Sequence, residues 1–175
     1  MRKTKSVLLL LVLLCAAGSG LAAAEPEPAP APAPSTPALA EIILTFIPNG
    51  WTGRHDLRPE LEIYADGRAI RRPDVLDIAR APDVPPQEFS GTIPPDALRA
   101  ARAEIRALYD VDLGEPDVKD EGKQIIDLMP AKQGQEMHLI LYAPGATADL
   151  SPEQQDGRIR FTALYRRMLE AFVQD

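Results

Sequence analysis

The chain has 175 residues, one cysteine and a formal net charge of −7, from 19 lysine and arginine residues against 26 aspartate and glutamate residues. This length suits one domain of ordinary size. Because binding to a phosphate backbone depends on basic side chains, an acidic chain is a poor match for it, and we expect no nucleic-acid partner.

Residues 1–24 have the pattern of a secretory signal peptide. A basic start, MRKTK, precedes the apolar run SVLLLLVLLCAAG, and three alanines before Glu25 provide a cleavage site between small residues. We therefore expect an exported protein, periplasmic or extracellular, whose mature chain begins at Glu25 and has no cysteine. Two alternatives stay open: an uncleaved segment that anchors the chain in a membrane, and lipidation at Cys15, for which Leu14 is a poor neighbour.

Residues 25–38, EPEPAPAPAPSTPA, form a linker rich in alanine and proline. Proline fixes φ and removes the backbone donor, so we expect this linker to be extended and unpacked. The composition becomes globular at Leu39 and predicts a single domain over residues 39–175. Cleavage would leave 16 basic against 26 acidic residues, a net charge of −10, which favours solubility and repels anionic surfaces.

Two stretches near the start of the domain predict strands. EIILTFI, residues 41–47, is β-branched and apolar on both faces, which indicates a buried central strand. LEIYADGRAIRR, residues 61–72, predicts a hairpin in which a two-residue type I′ turn at the Asp-Gly pair would set Ile63 opposite Ile70. In that register one face carries Leu61, Ile63 and Ile70, and the other carries Glu62, Tyr64 and Arg71.

Two amphipathic helices follow. Pro95 suits the first turn of a helix, and the next residues place an apolar stripe on one face. Near the C-terminus, Ser151 and Gln154 have the spacing of a capping box, and Gly157 could break or bend the helix that follows. The apolar stripe of the first helix consists of Leu98, Ala101, Ile105 and Leu108.

Further strands are expected around the two helices. QEFSGTI predicts a short edge strand before the first helix, and GKQIIDLMP with EMHLILYAPG predicts a second hairpin between the helices. The simplest packing is an α+β fold: an antiparallel sheet of about four to five strands built from hairpins, with both helices on one face.

The acidic loop DVDLGEPDVKDE, residues 110–121, matches a twelve-residue calcium loop only in part. Asp110, Asp112 and Glu121 take positions 1, 3 and 12, but position 5 lacks an oxygen ligand and position 6, where glycine is needed, is Glu115. We expect a solvated acidic loop that binds neither calcium at micromolar affinity nor a cofactor.

Trp51 is the one tryptophan and has three basic neighbours, Arg54, His55 and Arg58. An aromatic side chain among cations can anchor an interface or support a ligand. The alternative is a tryptophan that packs over a sheet edge.

Asp127 and His138 form the most plausible acid–base pair. If Met129 faces Glu136 in the second hairpin, the two side chains lie directly opposite each other, whereas a tighter turn would make them diagonal neighbours. The pair could act as general base and orienter, or it could be a cross-strand charge pair in solvent. The sequence places no nucleophile elbow, P-loop or dinucleotide motif elsewhere.

The segments IYADGRAI, GTIPPDALRAARAEIRALY, IIDLMPAKQGQEMHLILY and RFTALYRRMLEAF, within residues 57–173, resemble a family of exported or lipoprotein-type bacterial domains of unknown function. The resemblance implies a fold and a compartment, and no activity. Members often have a Cys-Pro pair near the first strand; this chain has none, so a role tied to that cysteine does not transfer.

We expect a binding or interaction module of the cell envelope, whose partner is an envelope protein or ligand. One alternative is a hydrolase that works without cysteine, and another is a structural envelope component. The binding hypothesis predicts an exposed patch around Trp51 and no deep cleft. The enzymatic hypothesis requires a pocket that holds paired carboxylates, or a carboxylate with histidine.

Overall fold

The computed structural model describes residues 38–49, 58–81 and 83–175, and these residues form seven strands and two helices. The elements in chain order are β1 Ile42–Ile47, β2 Leu61–Ile63, β3 Arg68–Arg71, β4 Phe89–Thr92, α1 Pro95–Leu108, β5 Lys123–Leu128, β6 Met137–Tyr142, α2 Pro152–Glu170 and β7 Val173–Gln174. The strands make one sheet in the order β6-β5-β1-β2-β3-β4-β7, and every pairing is antiparallel.

The predicted α+β class is confirmed, but the sheet has seven strands instead of four to five. The excess comes largely from short strands, because β4 has four residues and β7 has two. Strand β4 was expected to be an edge strand, but it is not one, since β7 pairs with it on its outer side.

Strand β1 lies inside the sheet between β5 and β2, as its apolar pattern predicted. Its alternate residues Ile42 and Leu44 are fully buried and face both helices in one core cluster. The register places all other strand residues of this cluster on the same face of the sheet. Both helices therefore cover one face, as expected, and neither covers the other.

Both helices follow their sequence signals. Pro95 opens α1, and its four predicted stripe residues are buried. The Ser151 capping box of α2 is formed. Gly157 lies inside α2 and neither breaks nor ends it. It is a position of close packing, since a Cβ there would lie 2.7 Å from Cγ1 of Val111.

The predicted register of the first hairpin is wrong by one residue. The amide of Gly67 donates to the carbonyl of Tyr64 (2.9 Å), and Gly67 has a φ of +90°, so the loop has three residues and ends in a left-handed glycine. Ile63 consequently pairs with Ala69. Ala69 enters the core, Ile70 moves to the face without helices, and Arg71 turns toward α2.

The predicted signal peptide and almost all of the linker lie outside the described residues. The described residues belong to one compact unit. Within the three described ranges, no helix is both long enough and apolar enough to cross a membrane.

Candidate functional site

Asp127 and His138 face each other on the sheet face opposite the two described helices, so of the two registers left open the directly opposed one is formed. Nδ1 of His138 lies 2.8 Å from Oδ1 of Asp127. The side chains are unequally exposed, 61% for the histidine and 22% for the aspartate. The imidazole is therefore oriented by a carboxylate and still open to a ligand, as a general base or a binding group requires.

This contact predicts the tautomer of His138. When the neutral ring donates from Nδ1 to Asp127, Nε2 is left as an acceptor that faces solvent. We expect ¹⁵N spectra at a pH where the ring is neutral to show a protonated Nδ1 in the native protein, and loss of that preference in Asp127→Ala. Identical ring-nitrogen spectra in the two proteins would show that the contact does not persist in solution.

A cleft of about 450 Å³ lies beside this histidine. One wall comes from residues 138–142 of β6, and the other from the segment 108–115 that follows α1. The cleft is open to solvent, and two of its lining residues, Leu108 and Leu139, belong to the core. We call this cleft the β6 groove. Its volume falls in the range of roughly 300–1,000 Å³ that is common for ligand pockets.

Strand β6 is an edge of the sheet, and part of its backbone has no partner. The amide of Ala143 donates to the carbonyl of Gly122 (2.8 Å), so by the alternation of an antiparallel ladder residues 137, 139 and 141 bond to β5. The backbone N–H and C=O groups of His138 and Ile140 therefore point away from β5. Within the part of the chain that the structure describes, these groups have no hydrogen-bond partner.

Arg158 joins the two walls of the β6 groove. This side chain is 2% exposed and extends from α2 between β6 and the opposite wall. Nη1 donates to the carbonyls of Leu113 (3.1 Å) and Gly114 (3.3 Å), while Nη2 donates to those of Tyr142 (2.7 Å) and Ala143 (2.5 Å). Burial lowers the pKa of the guanidinium. The planar fork of arginine thus ties the two walls together.

The acidic loop is held by one hydrogen bond within the loop and one from α2. Asp112 accepts from Nε2 of Gln154 (2.8 Å) and from the amide of Gly114 (2.8 Å), and these bonds lower the pKa of its carboxyl, with Gln154 contributing most. Across residues 38–49, 58–81 and 83–175, no group of three or more histidine, cysteine or acidic residues is arranged to hold a metal ion. Asp110 and Glu121, the other two positions of the partial calcium match, belong to no such group.

Three of the four expected binding residues, Trp51, Arg54 and His55, lie outside the described residues. The fourth, Arg58, has its Nη1 4.0 Å from Oε1 of Glu88. The expectation of a patch around Trp51 therefore stays a prediction.

A second titratable cluster lies beneath α2. The hydroxyl of Tyr165 donates to Oε2 of Glu60 (3.1 Å) near Arg71. Burial raises the pKa of Glu60, while the Tyr165 hydrogen bond and the charge of Arg71 act in the opposite direction with smaller effect. Burial and then the charge of Glu60 raise the pKa of Tyr165. Such paired shifts occur at functional sites and in structural networks alike.

Glu60 makes stability depend on pH. Because its pKa is raised above the reference value of 4.5, the neutral carboxyl favours the folded state at low pH, and this stabilisation is lost as the pH rises above 4.5. We expect Glu60→Gln to gain stability relative to the native protein between pH 4 and pH 7 in urea unfolding. In Tyr165→Phe, which lacks the hydrogen bond, the loss with pH should be steeper. If the native protein instead becomes more stable relative to Glu60→Gln as the pH rises toward 7, the charge of Arg71 outweighs the effect of burial on Glu60.

Sequence patterns contain partial signals for some of the groups that were not predicted. Arg158 lies three residues before Phe161, on the apolar stripe of α2, where a charged residue must be buried. The sequence MHLILY of β6 has no proline or lysine, the residues that usually protect a sheet edge. Glu60 has no comparable signal, because its burial depends on a helix about a hundred residues away.

The chain matches no protein-family model, no curated protein and no solved structure.

Proposed function

We propose that this chain is an exported cell-envelope protein that works as a binding module, with the β6 groove as its binding site. The signal pattern of residues 1–24 supports export. The observation that carries the binding function is the free edge of β6 beside an open cleft whose exposed lining is mostly polar and which reaches two core residues, Leu108 and Leu139.

Site-specific photo-crosslinking in the producing cell tests this proposal. A photoreactive residue at position 140, on the groove wall, should give a discrete crosslinked product. The control is position 159 on α2, also exposed, which should not give that product. Equal products at both positions, or none at 140, would contradict a binding site in the groove. N-terminal sequencing of the same envelope protein should return Glu25; Met1 would contradict signal cleavage.

A hydrolase is the second candidate, because His138 belongs to the groove wall and is oriented by Asp127. No serine nucleophile accompanies this pair among the described residues. Ser90 lies on β4, which four other strands separate from β6, and Ser151 is occupied as the cap of α2. The pair could only activate water. Turnover of an envelope ester or amide that is lost in His138→Gln would favour this candidate.

A further inference from the structure

The two edge strands of the sheet differ in length and in the backbone groups that they leave unpaired. At one edge β7 has only two residues, and a short edge strand offers little backbone for pairing. At the other edge β6 has six residues and presents the free N–H and C=O groups of His138 and Ile140. These groups repeat along a strand at every second residue, a pattern that only another extended backbone can match.

The walls of the β6 groove specify which side chains an added strand would carry. One set of alternate side chains would point to the helix side, over Leu108 and toward the exposed carboxylates of Asp112 and Glu115. A lysine or arginine fits there, because its stem can cover apolar surface while its charge reaches the rim. The other set would lie beside Ile140, whose side chain is 53% exposed, and an apolar residue fits there.

We propose that the β6 groove binds an extended peptide segment with alternating basic and apolar residues, which adds to the sheet as a further strand. This proposal rests on the binding function proposed above and names its partner class. The segment pairs its backbone with His138 and Ile140, and Arg158 limits how far it extends toward Tyr142. A second copy of the chain is a poorer occupant, because β6-to-β6 pairing would bring together two acidic loops, each with six acidic residues and one lysine in residues 110–121.

The test is an NMR titration of the ¹⁵N-labelled mature protein with defined heptapeptides. A capped peptide that alternates lysine and valine should shift the amides of residues 138–142 and saturate. The same peptide with N-methylated amides keeps its charge and side chains but loses its backbone donors. Its affinity should be lower by about tenfold or more. A peptide that alternates glutamate and valine should also bind more weakly, because the lining carries two carboxylates, Asp112 and Glu115, against one cation, Lys123.

Two protein variants separate backbone pairing from charge. Ile140→Pro removes an outward N–H without removing a bond to β5, and it should weaken the lysine peptide about tenfold. Glu115→Lys should weaken it by about fivefold, while the control Glu170→Lys, on the exposed end of α2, should not. Far-UV circular dichroism of each variant checks that the fold is retained.

Several results would overturn the proposal. Equal affinity of the N-methylated peptide would exclude strand addition, and equal affinity of the glutamate peptide would exclude charge selection. A concentration-dependent dimer that Ile140→Pro abolishes would identify a second copy as the occupant. If no peptide binds but position 140 still gives its crosslinked product, this partner class is wrong and the binding function stands; if both fail, both are wrong.

Discussion

Arg158→Met should lower the free energy of unfolding by about 3 kcal/mol, because the carbonyls of Leu113, Gly114, Tyr142 and Ala143 lose their donors in a buried place. Methionine keeps much of the apolar volume of the side chain, so the loss reports the hydrogen bonds more than a cavity. Urea unfolding with a spectroscopic probe measures the change.

Two control variants define what the effect means. Arg158→Lys keeps a charge but cannot span both walls with a planar fork, so its loss should be substantial. Arg166→Met, in an exposed pair with Glu170 on the same helix, should change stability by less than about 0.5 kcal/mol. An Arg158→Met protein as stable as the Arg166→Met protein would show that water replaces the guanidinium between the two walls.

Gly91→Ala should destabilise the protein by about 2–3 kcal/mol and release β7. A Cβ on Gly91 would lie 2.3 Å from the carbonyl oxygen of Val173 and 2.6 Å from the ring of Phe172. The first of these contacts is with backbone, so the C-terminal segment must move away from β4. Faster hydrogen exchange at Val173 and Gln174, together with a lower unfolding midpoint, would report this movement.

Ser90→Ala is the matched control for Gly91→Ala. Ser90 precedes Gly91 on β4, its side chain points to the opposite face, and it is exposed. Its backbone carbonyl, which accepts from the amide of Asp175 (3.2 Å), is unchanged by the substitution. Native stability and native exchange in Gly91→Ala would mean that β7 does not pack on β4 in solution.

Features encoded within a few residues could be predicted from the sequence. The Ser151 capping box and the stripe of α1 depend on spacings of three and four residues, and both are formed. Alternation of apolar residues places Asp127 and His138 on one face of the second hairpin, and the register of the turn then sets them directly opposite each other. The interior position of β1 follows from its apolar residues on both faces.

The first hairpin shows where local signals are insufficient. An Asp-Gly pair fits a two-residue turn and also a three-residue loop that ends in a left-handed glycine. The choice places either Ile70 or Ala69 under the C-terminal segment. Ala69 pairs with Gly91, where Phe172 and Val173 lie so close that even a methyl group on Gly91 would collide. Packing by residues about a hundred positions away therefore selects the register that turns the small side chain inward.

The sequence by itself determined the α+β class, both helices, the central strand and the shared face of Asp127 and His138, because periodicity, caps and turns act between neighbours in the chain. Only the tertiary structure decided that β6 is an edge strand, that Arg158 ties its end to the segment 108–115, and that a groove lies between them. Strand order depends on which surfaces bury each other. Here β5 pairs with β1 across a long stretch of chain, and among the described residues that pairing leaves β6 without an outer neighbour.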